Sequence, residues 1–312
     1  MKIGFLFPGQ GAQVVGMGKD IYEKYPEAKQ MYDKVEELTG INIADISFNG
    51  PENKLNETKY TQIAILTMSL AILEVLKKEN INAEISAGLS LGEYSALIYS
   101  KAINLEDGIK TVQKRGEYMQ SLVPEGEWLM AAILGMTDEQ VEKICQNVKD
   151  GFVVPANYNC EGQIAISGER EAVKEAEELA KQEGAKKVVE LKTSGPFHTS
   201  KLIKASEALS KELEKIQINK FNTKVIKNID GETYTDKDNI KEILEKHIIS
   251  PVKFSKTIQT MLNEDVDTFI EIGPGKSLAG FVKRTKTEKP ITIININNVQ
   301  TLENAINYLK NI

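Results

Sequence analysis

Residues Gly88-Leu89-Ser90-Leu91-Gly92 form a G-x-S-x-G pattern, preceded by the apolar run Ile85-Ser86-Ala87 and followed by the helix-forming run Glu93 to Ile98. A sharp strand-to-helix turn demands small residues on either side, holds the serine strained and exposed, and aims a helix N-terminus at negative charge forming there. The context predicts Ser90 as a nucleophile for acyl chemistry; a plain glycine turn around a buried serine is the alternative. Such a serine needs a base for its proton, and imidazole is the usual one. The chain has two histidines. His198 lies in Ser194-Gly195-Pro196-Phe197-His198-Thr199-Ser200, a loop of the kind that can lie over a strand-end serine, whereas His247 occupies a helical turn shortly before Pro251. Position favours His198 as the base.

Acyl transfer also builds an oxyanion that needs two N–H donors fixed in advance. Leu91, immediately after Ser90, supplies one from the helix start, and the loop Pro8-Gly9-Gln10-Gly11 is best placed for the other. No Gly-Lys-Ser/Thr follows that loop, so it is not a Walker-type phosphate loop. Arg115 sits on the apolar-periodic segment Leu105 to Leu122, and three of the 39 Lys and Arg residues are arginines. In so lysine-rich a chain, an arginine points to a need for the planar two-pronged donor that holds a carboxylate. Arg170 and Arg284 stand in strongly charged surroundings and read as solvated surface residues.

The elements that must position these groups follow from the hydrophobic pattern. Lys2 to Phe7 reads as a buried strand entering the glycine loop, followed by a helix from about Lys19 to Leu38, a core helix Gln62 to Lys77, the strand Ile85 to Ala87, and helices Leu91 to about Lys101 and Leu105 to Leu122. This alternation predicts an α/β fold with a parallel sheet covered on both faces. The rhythm then changes. Trp128 to Leu134, Phe152 to Ala156, Gln163 to Ser167 and Lys187 to Leu191 read as strands, with helices Thr137 to Asn147 and Arg170 to Glu183 among them. That βαββαβ order predicts a ferredoxin-like subdomain at 124–195, inserted into a larger domain built from 1–123 and 196–312. The larger domain resumes with helix Ser200 to Ile216, strand Lys224 to Asn228, helix Ile240 to Ile249 and strand Thr268 to Glu271 before Gly273-Pro274-Gly275.

Composition narrows the function classes. The 312 residues suggest about two domains with room for a full core, and 41% hydrophobic and 27% charged residues are ordinary globular values. Formal charge is -6 and the isoelectric point near 5.3, which disfavours nucleic acid and anionic membrane surfaces as partners. The most apolar stretch, Ile63 to Leu76, carries Glu74 and falls short of a membrane span. The N-terminus shows no cleavable signal pattern, so the expected location is the cytoplasm, with Cys145 and Cys160 reduced and buried. Two cysteines cannot form a zinc site alone, and no metal is expected.

With these residues assembled, the chain resembles the malonyl-CoA:acyl carrier protein transacylases and, more broadly, the acyltransferase family, essentially end to end. The resemblance rests on Phe7-Pro8-Gly9-Gln10-Gly11-Ala12-Gln13, Tyr60-Thr61-Gln62, Gly88 to Ala96, Lys114-Arg115-Gly116, Pro196-Phe197-His198 and Glu271-Ile272-Gly273-Pro274-Gly275-Lys276. It implies a hydrolase-like α/β domain with an inserted ferredoxin-like subdomain. It implies Ser90 as the acylated nucleophile, His198 as its base, Gln10 and Leu91 as oxyanion donors through backbone N–H, Arg115 as the clamp on the malonyl carboxylate, and Gln62 as a polar site-lining residue. It also implies that His198 is oriented by a main-chain carbonyl just before Ser250-Pro251-Val252, which places His247 as the carbonyl donor in place of a triad carboxylate. Malonyl-CoA and acyl carrier protein are the implied partners, with no cofactor of the enzyme's own.

The resemblance departs at Leu89, where the family usually has histidine, and at Ile63, where proline is common. Leu91 and Phe197 match the malonyl-type pattern as opposed to the methylmalonyl type. Carrier proteins of this pathway are acidic, so Lys283-Arg284-Thr285-Lys286 is a candidate dock. A serine esterase or thioesterase shares the elbow and dyad but admits water and needs no buried cation. A binding module leaves Ser90, His198 and Arg115 unexplained together.

Overall fold

Strand residues in this chain are apolar on consecutive positions where a sheet is covered on both sides, and alternate where one face meets helices. The computed structural model describes residues 1–312 apart from Lys192, Ser194 and Ile312, so the first residue of the predicted His198 loop lies outside the described residues. Among the described residues the strands are β1 Ile3–Phe7, β2 Ile85–Gly88, β3 Trp128–Leu134, β4 Val153–Cys160, β5 Gln163–Glu169, β6 Lys187–Leu191, β7 Lys224–Val225, β8 Thr268–Ile272 and β9 Thr292–Ile296. They form a parallel sheet in the order β7-β2-β1-β8-β9 and an antiparallel sheet in the order β4-β5-β3-β6.

β1 is buried at every position because both its faces are covered. Phe5 and Phe7 pack into one core with the helices Thr58–Lys78, Gly92–Tyr99 and Leu105–Ser121, while Leu6 faces the opposite core with Phe254, Ile258 and Phe281. Thr58–Lys78 is long and apolar enough to cross a membrane, with a mean hydropathy of 1.3 over its most apolar window; 83% of that window is buried inside the fold. It is a core helix whose apolar stretch exceeds the one read from the sequence.

Register places the site. Phe7 pairs with Gly88 and Leu6 with Glu271, so β1, β2 and β8 end together, and the loop after each opens on the same edge. Ligands of open parallel sheets gather at this carboxyl end.

In the antiparallel sheet, β3 to β6 alternate with helices Asp138–Asn147 and Arg170–Gln182, which bury Val141, Ile144, Val173 and Ala176 against one sheet face. That strand order is the ferredoxin-like one. β4 extends to Cys160, well past the predicted end, with irregular register around Pro155, which cannot donate to the ladder. The extension is functional in place: Tyr158 N–H donates to the Val252 carbonyl and Val252 N–H to that of Ala156, so this sheet grips the segment just after His247.

Other differences from the sequence reading have local causes. The helix predicted over Lys19 to Leu38 is two, Lys19–Lys24 and Pro26–Thr39, because Pro26 forces Tyr25 extended (φ -112°, ψ 114°). The strand predicted over Lys224 to Asn228 is in register with β2 only at Lys224 and Val225, and further on Asn228 turns its side chain to the elbow. β9 and the helix Val299–Lys310 carried no expectation.

Candidate active site

Ser90 stands between β2 and the helix Gly92–Tyr99 with φ 54°, a left-handed conformation that a serine holds only under surrounding constraint. The constraint is close packing. A Cβ on Gly88 would lie 1.9 Å from the Gly92 carbonyl carbon, and one on Gly92 would lie 2.0 Å from the Phe7 carbonyl oxygen. Both positions therefore need glycine. Asn228 completes the turn: its Oδ1 accepts Ser90 N–H at 2.7 Å and its Nδ2 donates to the Gly88 carbonyl at 2.7 Å. Leu89, at the family's histidine position, packs partly buried against the core that holds Leu278 and Phe281.

His198 arrives on the loop after β6, also left-handed at φ 60°, and is 3% exposed. Its Nε2 lies 2.8 Å from Ser90 Oγ, and its Nδ1 lies 3.0 Å from the His247 carbonyl oxygen and 3.2 Å from that of Ser250. Two carbonyls accept but never donate, so Nδ1 carries the proton and Nε2 is free to accept from the serine. Burial pushes the imidazole down to about 4, and the nearby Arg115 charge adds to that. The ring is neutral at physiological pH. Carbonyls fix the tautomer as a carboxylate would, but stabilise the imidazolium less.

Arg115 is 1% exposed on the helix Leu105–Ser121. One terminal nitrogen donates to Gln62 Oε1 at 2.7 Å and the other to Ser90 Oγ at 3.0 Å. Its Nε has no partner among the described residues, and the group sits 5.5 Å from the Tyr94 ring centroid. Gln62 is itself held by Met119, with its Nε2 3.4 Å from the sulfur. Burial lowers the guanidinium's proton affinity, yet arginine remains charged. A buried cation whose donors, among the described residues, meet only an amide and a hydroxyl leaves room for an incoming carboxylate.

The N–H groups of Gln10 and Leu91 make no hydrogen bond among the described residues, which leaves both available to an oxyanion. Gln10 is anchored by its side chain, Nε2 donating to Thr58 Oγ1 at 3.1 Å. The surrounding cleft encloses about 210 Å³ and is lined by Gln10, Ser90, Met119, Phe197, His198 and residues of β3 to β5. Lys286 and Arg284 instead flank a separate surface groove, Lys286 ion-paired to Glu161 and Arg284 bonded to Gln163. Cys145 and Cys160 are buried thiols without a disulfide, and among the described residues no group of three or more His, Cys, Asp or Glu is placed to hold a metal.

Three buried residues around the elbow were not singled out from the sequence: Asn228, Glu93 and Tyr234. Glu93 reads as an ordinary acid in a helix's first turn, and only its 0% exposure sets it apart. Asn228 precedes Ile229-Asp230-Gly231 and reads as a turn residue.

A nucleophile elbow at a sheet's carboxyl end, a serine–histidine pair and a buried arginine define a serine acyltransferase, and the chain belongs to the acyl transferase domain family, which matches residues 4–306. Its relatives narrow this further. The malonyl CoA-acyl carrier protein transacylase of Bacillus subtilis is 43% identical over 311 residues, covering 99% of this chain and 98% of that one. The crystal structure of the malonyl CoA-acyl carrier protein transacylase from Clostridium perfringens superposes with a TM-score of 0.94 at 48% identity, covering 100% of this chain and 98% of that one. A malonyl-transacylase in complex with its type II PKS acyl-carrier protein superposes with a TM-score of 0.94 at 32% identity, covering 99% of this chain and 100% of the other.

Proposed function

We propose that this chain moves malonyl from malonyl-CoA to the phosphopantetheine thiol of acyl carrier protein by a ping-pong reaction through Ser90, supplying fatty acid synthesis. The observation that carries the reading is Arg115, buried and reaching to 3.0 Å from Ser90 Oγ, where a malonyl carboxylate on the bound acyl group can take the guanidinium. In the first half, Ser90 Oγ attacks the thioester carbonyl as His198 Nε2 takes its proton. The N–H groups of Gln10 and Leu91 hold the oxyanion. Collapse breaks the C–S bond, and His198 returns the proton to the departing coenzyme A sulfur. In the second half, His198 takes the proton of the carrier thiol, whose sulfur attacks the malonyl-serine ester, and Ser90 leaves with that proton. No bound cofactor enters either half. The His247 and Ser250 carbonyls keep His198 in the working tautomer, and Gln62 holds the clamp.

The same reading treats 124–195 as an inserted subdomain, between 1–123 and 196–312, whose sheet walls the cleft. The same reading places the pathway in the cytoplasm. The test is intact-mass analysis after mixing with malonyl-CoA and then with holo carrier protein: a stable malonyl adduct that the carrier discharges is expected. Rapid hydrolysis without transfer would instead make the protein an esterase.

A further inference from the structure

Behind the elbow lies a buried polar network that the transfer steps above do not use. Glu93, on the helix that starts at the elbow, is 0% exposed. Its Oε2 accepts the Asn228 backbone N–H at 2.9 Å and its Oε1 accepts the Tyr234 hydroxyl at 2.5 Å. The Asn228 side chain in turn ties Ser90 N–H and the Gly88 carbonyl, so Glu93 stands one residue behind the nucleophile's turn.

The same carboxylate also faces the base. His247, 0% exposed, places its Nδ1 3.6 Å from Glu93 Oε2, and among the described residues neither ring nitrogen of His247 has a hydrogen-bond partner. That ring packs against His198 with centroids 5.3 Å apart, and the same residue's carbonyl accepts from His198 Nδ1. Ser90 and His198 come from segments 108 residues apart in the chain. One buried side chain thus touches the supports of both.

The geometry points to Glu93 as a positioning residue that sets the Ser90–His198 distance by bracing Asn228 on one side and His247 on the other. A buried carboxyl with so few apolar alternatives is costly to keep unless it is fully hydrogen-bonded, and each of its oxygens has a donor. The groups facing it are Tyr234, which hydrogen-bonds it, Arg115 and Asp230, which act on it electrostatically, and His247, whose proton affinity burial holds well below the ordinary histidine value so that it stays neutral at 3.6 Å. What holds the network is therefore hydrogen-bond geometry. Glutamine at this position keeps one oxygen for Asn228 N–H and an amide N–H₂ that can donate to the Tyr234 oxygen; alanine keeps neither.

This inference rests on the malonyl-transfer reading, and the test separates the two. Single-turnover malonylation is measured across malonyl-CoA concentrations for wild type, Glu93→Ala, Glu93→Gln and Asn228→Ala, each checked for a cooperative thermal transition. Glu93→Ala and Asn228→Ala are expected to lower the maximal acylation rate about 10- to 100-fold while half-saturation stays within a few fold, because Arg115 and Gln62 are untouched. Glu93→Gln is expected to recover most of the rate. Should Glu93→Ala fail to fold, Asn228→Ala carries the same comparison. An unchanged maximal rate, or a half-saturation that rises as far as the rate falls, overturns the positioning role. If wild type itself forms no malonyl-enzyme, the transfer reading fails instead.

Discussion

At the residue scale, the chemistry rests on side chains that do different things to one thioester. Ser90→Ala removes one oxygen from a half-buried position, so it is expected to abolish the malonyl adduct while leaving the thermal midpoint nearly unchanged. His198→Ala should slow acylation by several orders of magnitude. His247→Ala should cost far less, since its carbonyl stays, and equal losses from the two would show that the His247 ring acts directly. Arg115 is the proposed source of selectivity. Leaving a carboxylate partly buried and unpaired costs roughly 3 to 5 kcal/mol, so Arg115→Ala is expected to cut kcat/KM for malonyl-CoA by about two to three orders of magnitude or more while sparing acetyl-CoA. Arg115→Lys should recover only part, because a point charge lacks the paired donors. A malonyl-to-acetyl ratio that stays within a few fold across the set would remove Arg115 as the clamp.

At the element scale, what was legible in the sequence was what depends on spacing along the chain. The elbow, the glycine loop and the ferredoxin-like order are local patterns, and β3 and β6 fall where periodicity puts them. Asn228 and Glu93 were not legible because their roles arise from contacts across 135 to 140 residues, which no local pattern encodes. The break at Tyr25-Pro26 was readable in principle, since proline restricts the residue before it, yet the apolar period runs through it. The elbow's packing gives an element-level test. Gly92→Ala drives a methyl against the Phe7 backbone carbonyl, which cannot swing aside, and overpacking of this kind costs about 1 to 3 kcal/mol or more. A lowered thermal midpoint together with lost acylation is expected; a variant as stable and active as wild type would mean that β1 and the elbow are not locked as described.

At the scale of the whole molecule, the site sits where two sheets meet: the parallel sheet delivers Ser90, and the antiparallel sheet grips Val252 beside the carbonyls that orient His198. Burying these groups also links folding to pH. His198, held down to about 4 chiefly by burial with Arg115 and His247 facing it, resists protonation that the unfolded chain accepts near 6.5. Stability therefore falls as pH drops from 6.5 towards 4, by on the order of 3 kcal/mol from this group. Glu93, raised to about 7 chiefly by burial and facing Tyr234, Arg115, Asp230 and His247, works the other way: its contribution is present below 4.5 and lost as pH rises through 7. The two offset each other in the native protein. Glu93→Gln removes one side, so its denaturation midpoint should fall more steeply between pH 6.5 and 4 than that of wild type, and parallel profiles would contradict this.

The central claim is that Ser90 carries malonyl between two thiols. Intact-mass analysis of wild type and Ser90→Ala after malonyl-CoA, with peptide mapping of the adduct and a chase with holo acyl carrier protein, addresses it in one experiment. The expected result is one malonyl group on the peptide holding Ser90, absent in Ser90→Ala and transferred to the carrier on addition. An adduct that persists in Ser90→Ala, or one that the carrier cannot discharge, would contradict the account.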